Sequence, residues 1–258
     1  MSMYFITHKE FDAPQEPGYR TLLVGAFRGH SFGDCFDDTG DNISEKNPNY
    51  CELTGLYWLW KNSTDDYIGI NHYRRYFSRS FSGAQPLPEK EVRRLLDQYD
   101  AVLPFPGNTI PKGVSVRQHY CAESGTGQDL DRVRAILKDR CPEYVWAFDV
   151  VMASHKMYFF NMLIMKKPLF DEYCAWLFDI LFTLEPKLDL TEYNDYQKRV
   201  FGFLAERLLN VWVLQKDLNV AEVGVYNTEN DWGRAKQTLT GLKRVLRYPG
   251  LGSPRKTN

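Results

Sequence analysis

The chain has 258 residues, 43% of them apolar and 25% charged, the balance of a globular protein able to bury a sizeable core. Its 32 Lys and Arg nearly cancel 33 Asp and Glu, so a formal charge of −1 leaves no global basic field for nucleic acid. Disorder and a small disulfide scaffold are both excluded by the same numbers.

In chain order, residues 4–7 predict a first strand ending at His8, and residues 21–26 a second. A polar loop rich in Gly and Asp follows over 29–45. Asn47 then caps a helix with Pro48 at its first position, and Leu53, Leu56, Tyr57 and Trp60 recur on one face. Residues 67–71 predict a strand that runs into His72-Tyr73-Arg74-Arg75-Tyr76-Phe77. Val92, Leu95, Leu96 and Tyr99 mark a helix, and 100–103 a strand stopped by Pro104. Beyond a long loop and a polar stretch at 118–131, Val133, Ile136 and Leu137 mark another helix. Residues 158–165 form an apolar β-rich run. Helices through Phe170–Leu181 and Tyr196–Val211 and a strand at 220–226 complete the pattern. Strands alternating with helices predict an α/β fold with a mostly parallel central sheet, whose ligands bind beyond the carboxyl ends of the strands. His8 and His72–Arg75 then share one rim.

Charge is unevenly placed. Residues 232–258 contain seven basic and no acidic residues, with Leu239, Leu242, Val245 and Leu246 at helical spacing. This basic amphipathic tail is expected either to dock on a domain spanning 1–231 or to anchor on anionic lipid. The five cysteines form no C-x-x-C, and they are expected to be free thiols in a reducing cytosol. Residues 1–9 lack the pattern of a secretory leader, so none is expected, and no uncharged apolar run nears the roughly 18 residues of a spanning helix.

His72, Arg74 and Arg75 at a strand end suit a phosphate or diphosphate, because guanidinium is a permanently charged, bidentate fork. Were the chain to stay extended, His72 and Arg74 would share a face and Arg75 would take the other. An ion-pair hub with Asp65, Asp66 or Glu52 is the alternative. The acidic loop at 34–42 lacks calcium-loop spacing and is expected to build turns. Gln128-Asp129-Leu130-Asp131 resembles a metal-binding Asp-x-Asp, but a helix cap explains it as well. Asp129, Asp149, Asp195 and Glu206 are the single carboxylates available for base chemistry. Signatures of hydrolase triads, dinucleotide folds, P-loops and zincins are missing.

Several segments together resemble a family of bacterial glycosyltransferases from capsule, exopolysaccharide and O-antigen clusters, long catalogued as a domain of unknown function. They include Ile6-Thr7-His8-Lys9, Asp41-Asn42-Ile43-Ser44, Cys51-Glu52-Leu53-Thr54-Gly55-Leu56-Tyr57-Trp58, the His72–Phe77 run, Asn161-Met162, Arg199 and Glu206-Arg207-Leu208. The resemblance implies a GT-A-like single domain that transfers galactose or galactofuranose from a UDP-sugar onto a growing glycan, and the basic tail adds the expectation of a lipid-linked acceptor at the cytoplasmic membrane face. His8, Asp41, Asn42, His72, Arg74, Arg75, Asn161, Met162 and Arg199 are then expected to bind substrate, with His8 near the base and Asn161-Met162 lining the donor sugar. His72-Tyr73-Arg74-Arg75 stands where such enzymes carry a metal-binding Asp-x-Asp, so no metal or other cofactor is expected. Asp129 is the first expectation for the catalytic base and Glu206 the second. A non-catalytic nucleotide-sugar or glycan-binding scaffold is the competing reading.

Overall fold

The structure is a computed structural model that describes residues 2–78 and 85–229. The basic tail at 232–258 lies outside the described residues. In order, the elements are β1 (Ser2–Thr7), β2 (Tyr19–Leu23), β3 (Cys35–Phe36), α1 (Asn47–Tyr50), α2 (Leu53–Asn62), β4 (Tyr67–His72), β5 (Arg75–Phe77), α3 (Glu89–Leu96), β6 (Ala101–Pro104) and β7 (Gly107–Asn108). Then follow α4 (Val116–Glu123), α5 (Gly127–Arg140), α6 (Val145–Ala153), β8 (Lys156–Met157), β9 (Ile164–Lys166), α7 (Lys167–Leu184), α8 (Val200–Gln215), β10 (Val220–Val223) and β11 (Val225–Asn227).

The main sheet runs β10-β6-β9-β4-β1-β2-β3, with β5 and β11 extending from the end of β4. Its pairings along that path are parallel except around β9, which runs against both β4 and β6. The expected α/β class with a mostly parallel sheet is what the chain adopts. All six residues of β1 are buried, as a central strand covered on both faces requires. Tyr4 and Ile6 join a large core with α2, α5, α7 and α8, whereas Met3 joins a smaller one with Val92 and Leu95 of α3. α2 packs tightly on the sheet side at Gly55, where a Cβ would stand 2.9 Å from Val24 Cγ1 and 3.1 Å from Ile6 Cδ1.

The chain departs from its predicted elements in five places. The helix expected from Asn47 onward breaks at Cys51, whose φ of 53° ends α1 before α2 begins. The polar stretch at 118–131 is not a loop but parts of α4 and α5, and a capping box between Ser115 and Gln118 starts α4. α6 is apolar on nearly every side, so it offers no periodicity to read. The run at 158–165 is mostly irregular, turning left-handed at Phe160 and Asn161 before β9. Residues 220–226 divide between β10 and β11, which pair with different strands.

Candidate active site

Parallel pairing of β1 with β4 brings the ends of both strands to one edge, Thr7-His8 beside His72. The break between α1 and α2 faces them. Together they enclose a cavity of about 420 Å³ lined by Thr7, His8, Cys51, Glu52, His72, Tyr73, Arg74 and Arg199, among others. A second cavity of about 430 Å³ shares His8, Val24 and Asn47 with the first and continues along Gly25, Arg28, His30 and Phe32. The two make one elongated cleft. Its loop wall is tied down by buried Asp37, which accepts from the backbone N–H of Gly25 and of Ala26 at 3.0 Å each and from the Ser44 hydroxyl at 2.5 Å. Asp37 therefore builds turns, the role expected of the acidic loop.

β4 does not stay extended past His72. Tyr73 and Arg74 form a tight turn, and Arg75 pairs back with His72 in β5. The face assignment for His72, Arg74 and Arg75 is therefore corrected: turn geometry, not strand alternation, places them. The residues just past β11 hold the turn, with Thr228 N–H donating to Arg74 O at 2.9 Å and the Arg74 guanidinium meeting Glu229 at 3.0 Å. The hub foreseen for Arg74 with Asp65, Asp66 or Glu52 is thus replaced by Glu229. Arg75 lies over the Phe160 ring, 4.6 Å from its centroid.

His72 is half-buried, and its Nε2 lies 2.6 Å from Phe160 O, so Nε2 carries the donated proton. Burial holds its pKa below the ordinary imidazole value. The same turn is gripped from α8 by Glu206, whose Oε1 accepts from Phe160 N–H at 2.9 Å while Oε2 meets Arg207 at 3.0 Å. Asn161 donates to Glu52 Oε1 at 2.6 Å and to Gly202 O at 3.0 Å. Its own Oδ1 is buried without a partner. Three non-glycine residues with positive φ, Cys51 (53°), Phe160 (79°) and Asn161 (50°), therefore meet around one carboxylate, Glu52. Strained backbone of this kind costs on the order of 1–3 kcal/mol per residue and clusters at functional sites.

Positive charge surrounds the cleft. His8 lies within electrostatic reach of Lys9, Arg74, Arg199 and Arg28, and burial followed by these cations keeps its pKa low. Lys9 sits over the Tyr73 ring at 4.8 Å, and His8 meets that ring edge-on at 5.3 Å. Arg199 Nε donates to Cys51 Sγ at 3.2 Å, and burial pushes that thiol up to about 11. Arg28, Arg74, Arg199 and Lys9, with Arg74 also held by Glu229, gather enough guanidinium and ammonium charge at the mouth of a parallel sheet to form an anion site.

Of the expected site residues, the fold gathers His8, His72, Arg74 and Arg199 on the cavity wall, with Arg75, Asn161 and Glu206 directly behind it. Four others are corrected. Asp129 is wholly buried at the third position of α5, accepting from Thr126 N–H at 2.7 Å, Tyr120 O–H at 3.0 Å and Tyr193 O–H. It lines neither cavity and closes a helix cap. Met162 is fully buried in the smaller core beside Met3 and Ile164. Asp41 accepts from the Tyr57 hydroxyl, and Asn42 bonds Gly40 O and Ser44 N–H, so both shape the loop before α1 outside the cleft. The role of Glu206 also changes: both its oxygens are engaged and burial raises its pKa, which makes it a support rather than an open base. Glu52 is the carboxylate that sequence reasoning leaves out of the site. Its place next to Cys51 in the matching segment, and its candidacy as an ion-pair partner of the His72–Arg75 run, are the hints the sequence holds.

Among the described residues no three His, Cys, Asp or Glu side chains gather as a metal site, and no helix is long and apolar enough to cross a membrane. No curated protein matches the chain. A solved structure described as the WbbM bifunctional glycosyltransferase in its apo form matches with a TM-score of 0.81 and 33% identity. The match covers 89% of this chain and 45% of that one, so the chain spans less than half of its structural relative. Residues 2–217 match a family described as a domain of unknown function, DUF4422, and the chain belongs to that family.

Proposed function

We propose that the chain is a glycosyltransferase that moves galactose or galactofuranose from a UDP-sugar onto a hydroxyl of a growing, lipid-linked surface polysaccharide. The observation that carries this reading is the pairing, in one cleft, of an accessible carboxylate with a wall of cations. Its likeness to WbbM, a bifunctional glycosyltransferase, supports the same class. The identity of the sugar rests on family resemblance.

In this reading the donor diphosphate lies against His8, His72 and Arg74. Glu52 accepts the proton of the acceptor hydroxyl as its oxygen bonds to the anomeric carbon. The bond from that carbon to the diphosphate oxygen breaks, and the electron pair leaves with UDP. Negative charge grows on the leaving group during this step, so fixed cations in a partly dry cleft lower the barrier. Asn161 aims Glu52 by holding one oxygen, leaving the other for the acceptor. Holding both reactants at one carboxylate supplies much of the remaining advantage. Metal independence belongs to this reading because the cations take the position of a metal-binding pair.

Calorimetric titration with UDP, GDP, CMP and their sugars, with and without EDTA, tests it. Selective UDP binding and sugar transfer that ignore EDTA are expected. Activity lost to chelator and restored by Mn or Mg would overturn metal independence. Binding of no nucleotide would overturn the donor assignment, while binding without transfer or hydrolysis would favour a scaffold.

A further inference from the structure

Arg199, which lines the first cavity and not the one along Gly25, Arg28 and Phe32, has an aromatic shelf beside it. Tyr196 is 52% exposed on ordered backbone. Asn194 and Gln197 fix its turn with reciprocal side-chain bonds to each other's N–H, at 2.9 and 3.2 Å. Tyr196 packs against Phe203 with centroids 5.0 Å apart and planes at 42°. The Arg199 guanidinium lies over both rings, at 5.6 and 5.4 Å. Arg199 also lines the cavity and lies within electrostatic reach of both Glu52 and Tyr196.

One arm of the cleft runs from His8 toward Arg28 and His30. Glu52 and Arg199 both line the first cavity, and neither lines the arm toward Arg28 and His30. A hydroxyl that gives its proton to Glu52 therefore meets it in the cavity that Arg199 shares. Resting on the transferase reading above, we propose that Tyr196 and Phe203, with Arg199, form the platform for the acceptor sugar. A sugar ring has a face of C–H groups that stacks on an aromatic ring and a rim of hydroxyls that accept from a guanidinium. The shelf presents both. Tyr196 adds broad contact at small entropic cost, since only two side-chain torsions are fixed.

The test titrates octyl glycosides of galactose, glucose, rhamnose and N-acetylglucosamine into UDP-saturated protein, following binding by NMR, for wild type, Tyr196→Ala and Tyr196→Trp. UDP affinity is measured on each separately. Wild type is expected to bind at least one glycoside, Tyr196→Ala to lose on the order of tenfold in that affinity, and Tyr196→Trp to keep it. UDP affinity should be the same in all three. The platform is overturned if no glycoside binds wild type, if Tyr196→Ala binds as wild type does, or if the variant's UDP affinity falls in step. Failure of wild type to bind UDP would instead sink the donor reading, a result independent of Tyr196.

Discussion

Two carboxylates stand at helix starts in this protein and do opposite work. Asp129 opens α5 and Glu52 precedes α2. Asp129 is wholly buried, and three donors occupy its oxygens. Glu52 borders a cavity, with Asn161 holding one oxygen. The difference lies in what remains free once the fold has taken its share. A saturated carboxylate stabilises its helix and its neighbours, whereas one with an open oxygen beside a cationic wall can take a proton from something that binds.

The comparison breaks most sharply at Glu52. Glu52→Gln keeps the side chain's size and its acceptor for Asn161, and kcat is expected to fall by about 10²–10⁴-fold with the thermal midpoint nearly unchanged. A variant that retains wild-type turnover removes Glu52 from the chemistry. Arg74→Ala comes next, with an expected loss of about 3 kcal/mol in transition-state stabilisation, read as kcat/KM, if the diphosphate is clamped there. Should Arg74 only brace the β4–β5 turn against Glu229, stability would fall and the kinetics of the folded fraction would hold.

At the other pole, Asp129→Asn should cost about 1.5–3 kcal/mol of stability, measured by urea denaturation, because charge-assisted bonds from Tyr120, Tyr193 and Thr126 are weakened. Its folded fraction should keep normal kcat. A catalytic defect without instability would erase the contrast.

The smallest effect concerns His8. Its folded pKa lies below the ordinary value near 6.5, so the unfolded chain binds the proton more readily. Its contribution to stability is therefore complete above that value and declines as pH falls through it. A bound diphosphate reverses the sign by favouring the charged ring, alongside Lys9, Arg28, Arg74 and Arg199. UDP affinity at a pH of about 5.5 should exceed that at about 7.5 by roughly three- to tenfold, the proton-linked gain of a single imidazole. A flat profile would place the diphosphate away from His8.

Much of the rim is legible in the sequence because its signal is local. His72-Tyr73-Arg74-Arg75 ends a strand of clear β pattern, and parallel topology puts that end beside His8. Glu52 is hidden because its role depends on Asn161, 109 residues distant, reaching it through a left-handed turn. Asparagine tolerates that conformation, but Phe160 gives no hint of it. Asp129 illustrates the reverse error. Thr126 and Asp129 have capping-box spacing, and that modest local explanation is the correct one. Met162 shares a matching segment with Asn161, yet neighbouring residues there point to different surroundings, one to Glu52 and the other into the core.

Gly55 bears on the proposed chemistry without touching it. It lies three residues beyond Glu52, where α2 settles on Val24 and Ile6, and it acts as the thinnest possible shim between helix and sheet. A methyl group there would lift the shim by several tenths of an ångström, or displace Val24 from a cleft wall it also forms. Misplacement of reacting groups by about 1 Å can cost a factor of 10² in rate. The working tolerance at Glu52 is thus machined into a residue that has no side chain, and the alignment of that wall is inherited from how tightly the helix seats.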